Sequence, residues 1–543
     1  MGLLSWIRKR KGLALAVCLA LSVTMLAGCG SGSKGGGGSA GSKETLTIGM
    51  FNAPDSFNPL FNPGIAGQFT IRFMYDTLLG MPEINKFTPQ LANSIDTTDN
   101  QNFTIKLNEK AKWTDGKHVT ADDVVFTFNL IANPKVETSK GSYINMLEGT
   151  DSVGKRPDGT PIPNLVAVDE HTVTFRTKKP VDPNYLKSML GFEVYIVPKH
   201  VFEKIDPANI SNSDAVTKPT VTSGTYKFVS YKTNDHVELA ANEDYYKGSP
   251  KLKKVFIRIM NGTNLVTELK SGNVQLAASG GIGSVPVKDL DVLKKDSKLV
   301  VKTVPSLNTQ YLEVNNSNPA FNVKFRRAVT MAIDRQKICD ELYKGTAQVV
   351  PTVYTKVSPV YDKSVKPLPY DPEAAKKELA ESGFDTSKEI TLQVPIGNVL
   401  REQSADLIQQ NLQAIGLNVK QQKLDFPTVL GNAKKGDYEM MLLGYGLTPD
   451  PDYSNYFVPG GSNNFCHSDD PKLTEMMNNA ASLPDAEARK AAYKEIQVYM
   501  RDNQFVTSLY ETDQINVQSK NLVGGIKDFW EGSLDDLYQW HFE

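Results

Sequence analysis

From residue 43 onward the chain alternates between two hydrophobic periods. Residues 45–49, 103–107, 171–176 and 255–259 place apolar and polar side chains in turn, the period-2 pattern of half-buried strands. Residues 226–228 and 237–239 read as two arms of a hairpin, with Thr233-Asn234-Asp235 as the turn. Elsewhere the period changes. Phe325, Ala328, Val329, Ala332 and Ile333 form a one-sided helical stripe, and so do Ala405, Ile408, Leu412 and Ile415, with Gly416 placed to stop that helix. Thr120 and Asp123 have capping-box spacing ahead of an apolar run. Asp371-Pro372 opens a helix that Gly383 closes, and residues 416–422 begin a strand. Strands alternating with helices predict α/β lobes, and no fixed-period repeat is visible.

The first 42 residues follow another logic. Arg8, Lys9, Arg10 and Lys11 form a basic block, and residues 12–28 carry no charge and are mostly Leu, Ala and Val. A basic start, an apolar middle and small residues at the end make a secretory leader. The apolar run is short beside the ~20 residues of a membrane-crossing helix. Leu26-Ala27-Gly28-Cys29 resembles the lipobox of bacterial lipoproteins, which implies cleavage before Cys29 and a lipid on its sulfur. Residues 30–42 are rich in glycine and serine and read as a flexible tether. A soluble body on a short leash outside the cytoplasmic membrane is the expectation.

Composition narrows the remaining classes. Removing the leader leaves 515 of 543 residues, enough for two to four domains. It takes away four basic residues and no acidic ones, so the formal net charge of −1 becomes −5. No basic run follows Lys11, which argues against a nucleic-acid binder. No second apolar stretch is long enough to cross a membrane. Cys18 leaves with the leader and Cys29 is the anchor. Cys339 and Cys466 remain, either as a distant pair or as two buried free thiols, the simpler reading. The six histidines show no metal-ligand spacing, and Cys466-His467 reads as a surface loop rather than a zinc site. Gly37-Gly-Ser39-Ala-Gly41 matches a hydrolase motif, but it lies in the tether without the strand and helix that motif needs. Neither an enzyme nor a cofactor is expected.

Four longer stretches carry a family resemblance: residues 103–131 (FTIKLNEKAKWTDGKHVTADDVVFTFNLI), 222–231 (TSGTYKFVSY), 310–335 (QYLEVNNSNPAFNVKFRRAVTMAIDR) and 438–457 (YEMMLLGYGLTPDPDYSNYF). In this order they resemble the extracytoplasmic solute-binding proteins of the dipeptide/oligopeptide/nickel family, which feed ABC importers. Each stretch also has a local role. Asp115-Gly116 reads as a turn beside a core Trp113, and residues 325–335 as a packing helix whose Arg326, Arg327, Asp334 and Arg335 form structural ion pairs.

The resemblance implies a two-lobed α/β periplasmic-binding-protein fold of type II, with an extra third lobe and a ligand cleft between the lobes. Lobe I would comprise residues 43–79, 200–310 and 510–543, the extra lobe 80–199 and lobe II 311–509. The implied function is capture of extracellular di- to oligopeptides by lobe closure and delivery to the permease and ATPase subunits of an importer. The protein would be a monomer held to the membrane by its lipid. A non-peptide cargo (nickel chelate, haem, sugar) or a peptide-pheromone receptor is the alternative.

The same resemblance implies where ligand contacts lie. Tyr445, Gly446 and Leu447 are expected to meet a peptide as a neighbouring strand does. Thr448 stands where many relatives place an aspartate that holds the ligand's α-ammonium. The nearest carboxylates here are Asp450 and Asp452, and Asp450 has two readings, an ammonium partner or a turn cap. Tyr311 and Glu313 alternate on a strand near the hinge, as ligand contacts or as packing. Arg401 opens a helix, either to grip a ligand carboxylate or as a solvated side chain. Residues 61–69 form a glycine-bearing loop able to approach ligand backbone closely.

Overall fold

The computed structural model describes residues 44–61, 64–461, 463–529 and 531–543. The leader, Cys29 and the tether lie outside the described residues. Most of the expected elements are present with their punctuation. The 45–49 segment is the strand Thr45–Met50, and the hairpin is Tyr226–Lys232 with His236–Ala241, turning through Asn234 at φ 59°. Asp371 caps the helix Pro372–Ser382, and Gly383 ends it in the left-handed conformation. Thr120 and Asp123 form the reciprocal capping box of the helix Ala121–Ala132. The buried Asp123 carboxylate also accepts the Trp113 indole N–H (3.3 Å) and the Lys199 backbone N–H (2.8 Å). One carboxylate therefore ties the Trp113 turn, the helix start and a distant segment together.

Three sheets organise the chain. The seven-stranded sheet runs in the order Leu299–Val304, Gln514–Ser519, Leu276–Ala277, Thr45–Met50, Lys254–Ile259, His236–Ala241, Tyr226–Lys232. The six-stranded sheet runs Ala347–Gln348, Val506–Thr512, Asn308–Val314, Met440–Gly446, Glu389–Pro395, Asn418–Leu424. A four-stranded antiparallel sheet is built wholly from residues 92–176. Each packs on its own apolar core, the four-stranded one around Phe103, Trp113 and Phe128. This is the expected two-lobed α/β architecture with a third body.

The two large sheets are joined by a two-stranded ribbon. Leu299–Val304 pairs antiparallel with Gln514–Ser519 in one sheet, and their continuations Asn308–Val314 and Val506–Thr512 pair in the other. The ribbon crosses through residues 305–307 and Asp513 alone, and the Ser306 hydroxyl donates to the Thr512 carbonyl (2.6 Å) to hold its two sides together.

The ion pairs expected on the 325–335 helix need correction. The helix Val323–Ala332 ends before Asp334, which instead caps the next helix, Arg335–Glu341. Arg327 does meet a carboxylate, Glu378, at 3.1 Å. Arg326 and Arg335 are buried and donate to backbone carbonyls, Arg326 to Phe321, Asn503 and Gln504, and Arg335 to Ser508 and Leu368. Buried guanidiniums with several donors are satisfied as well by carbonyls as by carboxylates. Cys339 and Cys466 are separate free thiols, both buried.

Candidate functional site

A cavity of about 760 Å³ lies where the ribbon crosses between the large sheets. Ile65, Gln68, Gly280 and Gln514 line it from the seven-stranded side, and Gly446, Leu447, Thr448 and Pro449 from the six-stranded side. Residues 305–308 of the ribbon form its back, and Pro82, Tyr143, Glu193 and the 526–529 loop complete its walls. The volume suits a ligand of several amino-acid residues or a drug-sized molecule. The charged side chains on the wall are already matched: Lys302 with Asp528, Lys527 with Asp536 (2.8 Å), Glu83 with Lys86 (2.6 Å) and Glu193 with Lys140 (4.0 Å).

The strand Met440–Gly446 brings an unpaired edge to this cavity. Leu447 donates its backbone N–H to the Leu307 carbonyl (3.1 Å), which makes these two a hydrogen-bonded pair of the antiparallel ladder. Gly446 lies opposite Asn308, one step on, so its own N–H and C=O are directed away from that neighbour. On the other side of the strand, pairing with Glu389–Pro395 stops at Met441. Gly446 is exposed there and presents a donor and an acceptor beside the cavity. Gly444 has the same orientation two residues earlier. A Cβ on Gly444 would fall 2.0 Å from the Gln310 amide nitrogen and 3.1 Å from the Arg401 guanidinium, so these two side chains fill the sheet face beside Gly444 and leave room only for glycine.

The other expected site residues are placed differently. The Tyr445 ring turns inward, 5.1 Å from the Tyr311 ring and 5.0 Å from that of Tyr456. Its hydroxyl donates to Glu313 Oε1 (3.2 Å). Tyr311 and Glu313 are both buried, and neither lines the cavity. Burial pushes the Glu313 carboxyl up to about 8, partly countered by the Tyr445 hydrogen bond. Its Oε2 has no partner, which suits a carboxylic acid that keeps its proton. Alternation put these side chains on one face of the strand, and that face is core.

Asp450 is also spoken for. Both its oxygens accept from Arg489, Oδ2 from Nη1 (2.8 Å) and Oδ1 from Nη2 (3.0 Å), and Oδ1 caps the turn at the Asp452 N–H (2.9 Å). Buried, paired with both prongs of Arg489 and absent from the cavity wall, this carboxylate serves the turn and not a ligand ammonium in the cavity. Arg401 is partly buried at the far end of the open edge. Its hydrogen bond among the described residues is from Nε to Gln310 Oε1 (3.0 Å), and burial lowers its proton affinity. No carboxylate pairs with it among the described residues.

Sequence reasoning missed the ribbon residues 305–308, Gln514 and the 526–529 loop as cavity walls. Pro305-Ser306 between two alternating strands was the available signal for the first. It missed Arg489 entirely, because nothing local marks a helix arginine as the partner of a loop 39 residues earlier. The glycine-bearing loop expected over 61–69 is a helix from residue 65 on, Ile65–Met74, and it is this helix that reaches the cavity, through Ile65 and Gln68.

Comparison with known proteins gives concordant matches. Residues 86–465 match the family described as bacterial extracellular solute-binding proteins, family 5. The chain is 27% identical over 502 residues to the oligopeptide-binding protein AppA of Bacillus subtilis, covering 88% of each. It is 26% identical to the periplasmic oligopeptide-binding protein OppA of Salmonella typhimurium, covering 91% of this chain and 92% of that one. Among solved structures, the ABC transporter substrate-binding protein CtaP of Listeria monocytogenes aligns with a TM-score of 0.81 at 28% identity, covering 92% of this chain and 99% of that one. B. subtilis AppA in complex with a nonapeptide aligns at 0.76 and 25% identity, with the same coverage. NikZ of Campylobacter jejuni, in complex with Ni(L-His), shares the fold at 0.76 and 24% identity.

Proposed function

Because the chain belongs to the bacterial extracellular solute-binding proteins of family 5, we propose that it captures peptides, from dipeptides to oligopeptides, and delivers them to an ABC importer. The observation that carries this reading is the open strand edge at Gly444–Gly446, facing a cavity of several-residue volume. An extended peptide satisfies that edge with its own backbone, whatever its side chains. Neutralised charges around the cavity leave side-chain space that selects weakly, and water can fill what a side chain does not. B. subtilis AppA, bound to a nonapeptide in its crystal structure, supports this cargo class.

In this reading Gly446 meets the ligand through its backbone and Thr448 through its hydroxyl, Leu447, whose N–H is held by Leu307, lines the cavity, and Tyr445 sets the strand from behind. Arg401, adjacent to Gly444, receives a carboxylate at the end of the open edge; its planar fork suits that group. Asp450, Tyr311 and Glu313 support the site without touching ligand. Lobe I comprises 43–79, 200–310 and 510–543, the extra lobe 80–199 and lobe II 311–509, with the ribbon as hinge. Closure of the lobes presents one geometry to the permease and ATPase subunits. The body is a monomer anchored to the membrane through a lipid on Cys29, a reading supported by the leader and lipobox alone. It carries no cofactor and runs no reaction.

Native mass spectrometry of the protein purified from peptide-rich cells tests the cargo. A ladder of added masses that is lost on denaturation and sequences as peptides is the expected result. A single discrete mass without amino-acid fragments, or a metal signature, replaces the peptide with a chelate, haem or sugar.

A further inference from the structure

Arg489, on the helix Ala486–Asn503, touches two bodies at once. Toward its own lobe it holds Asp450 with both prongs of the guanidinium. Asp450 closes the loop that borders the cavity: Thr448 donates its hydroxyl to the Asp450 carbonyl (3.0 Å), and Tyr453 donates to the Thr448 carbonyl (3.0 Å). Toward the extra lobe, Arg489 Nη1 lies 3.7 Å from Asp182 Oδ2, and its guanidinium carbon lies 5.3 Å from the centre of the Tyr185 ring. Asp182 caps the short helix Pro183–Leu186 through Oδ1, which receives the Asn184 N–H (2.9 Å), so Oδ2 is left for Arg489. The arginine and both aspartates are buried.

The extra lobe is otherwise fastened to lobe I. Thr114 exchanges hydrogen bonds with Thr220 and Thr222, Gln90 donates to Asp535 (3.3 Å), and the Arg72 guanidinium lies 4.4 Å over the Phe192 ring. Against lobe II its ion pair among the described residues is Asp182 with Arg489. Relative movement of the two lobes about the ribbon therefore strains this contact, together with the exposed Lys344–Asp291 pair between lobes II and I. Asp450 alone already neutralises the guanidinium. The second carboxylate gains a weaker attraction, offset by its own loss of water. Such a contact is made and broken easily, unlike the two-pronged pair beside it.

We infer that Arg489 is a positioning residue that latches closure, joining the ligand-facing loop of lobe II to Asp182 of the extra lobe only when the cleft is shut. The inference rests on the proposed lobe closure but not on the identity of the cargo. A ligand that seats Thr448 fixes Asp450, which fixes Arg489 in reach of Asp182, so binding and closure share one chain of contacts.

The test is the distance distribution between spin labels carried on genetically encoded ketone residues at Val153, in the extra lobe, and Lys376, in lobe II, both exposed. The purified full chain is measured without ligand, so the result does not depend on whether peptides are the cargo. The wild type is expected to sample a short-distance closed population. Asp182→Asn keeps the helix cap and removes the charge; it is expected to cut that population about three-fold at unchanged melting temperature. Lys324→Ser, which removes the exposed Lys324–Glu381 contact within lobe II, is the control and leaves the distribution in place. A wild type with no closed population, or one that Asp182→Asn leaves unaltered, overturns the latch.

Discussion

The Tyr445 hydroxyl donates to the buried Glu313 carboxyl over 3.2 Å, and among the described residues no second hydrogen bond reaches that acid. In the unfolded chain the same glutamate ionises near 4.5, whereas in the folded protein it holds its proton to about 8. Between those values the folded state binds the extra proton, so this group's contribution to stability is full below 4.5 and is lost as pH rises through 8. Glu511, raised by burial to about 7, adds in the same direction. The melting temperature is expected to fall between pH 5 and pH 8.5. Glu313→Gln, which keeps an acceptor for Tyr445, flattens that fall in a calorimetric pH series.

Replacing Gly446 by proline removes the N–H that the strand edge offers while sparing the ladder, whose bonds at this step belong to Leu447 and Leu307. Loss of one backbone hydrogen bond, ~1–1.5 kcal/mol, corresponds to roughly ten-fold weaker peptide binding. Titration calorimetry with a bound peptide identified by mass spectrometry reads the loss. A wild-type affinity in Gly446→Pro removes strand addition at this residue.

Arg401→Met distinguishes a ligand-facing cation from a structural one. If its guanidinium receives a carboxylate, wild-type protein prefers a free-acid peptide over its C-terminal amide by about ten-fold, and the variant binds both alike. Equal binding of acid and amide by the wild type assigns Arg401 to its Gln310 contact alone.

Arg489→Met leaves two buried carboxylates without a counter-charge. Removing one partner of a buried ion pair costs about 3–5 kcal/mol, and denaturant unfolding should show a loss of that order. Asp182→Asn is expected to cost little by the same assay, because Arg489 retains Asp450.

What could be read from the sequence was what neighbours along the chain decide. The Thr120–Asp123 capping box, the Asp371 and Gly383 helix ends and the Asn234 turn are each set within four residues or by a single helix, and each is where the pattern placed it. The lobes came from resemblance, since alternation alone gives strands and not their order across two sheets. Side-chain destinations were harder. The period-2 pattern correctly put Tyr311 and Glu313 on one face, but nothing in it says that this face meets Tyr456 and Cys466 rather than a cleft. Arg326 and Arg335 suggest ion pairs because charge suggests charge; the Gln504 and Ser508 carbonyls that help satisfy them belong to elements more than 170 residues further on. The sequence leaves Asp450 two roles because its partner, Arg489, is marked by no motif.

The ribbon that joins the large sheets is also a wall of the cavity: Pro305, Ser306, Leu307 and Asn308 belong to both. Fit and motion are thereby written in the same four residues. A change there that enlarges the cavity also alters how readily the two bodies swing, so cargo preference cannot be retuned at the ribbon without retuning closure. The independent positions are those that border the cavity from outside the crossing, residues 82–84 and 526–529, and these are where selection for a new cargo has a free hand.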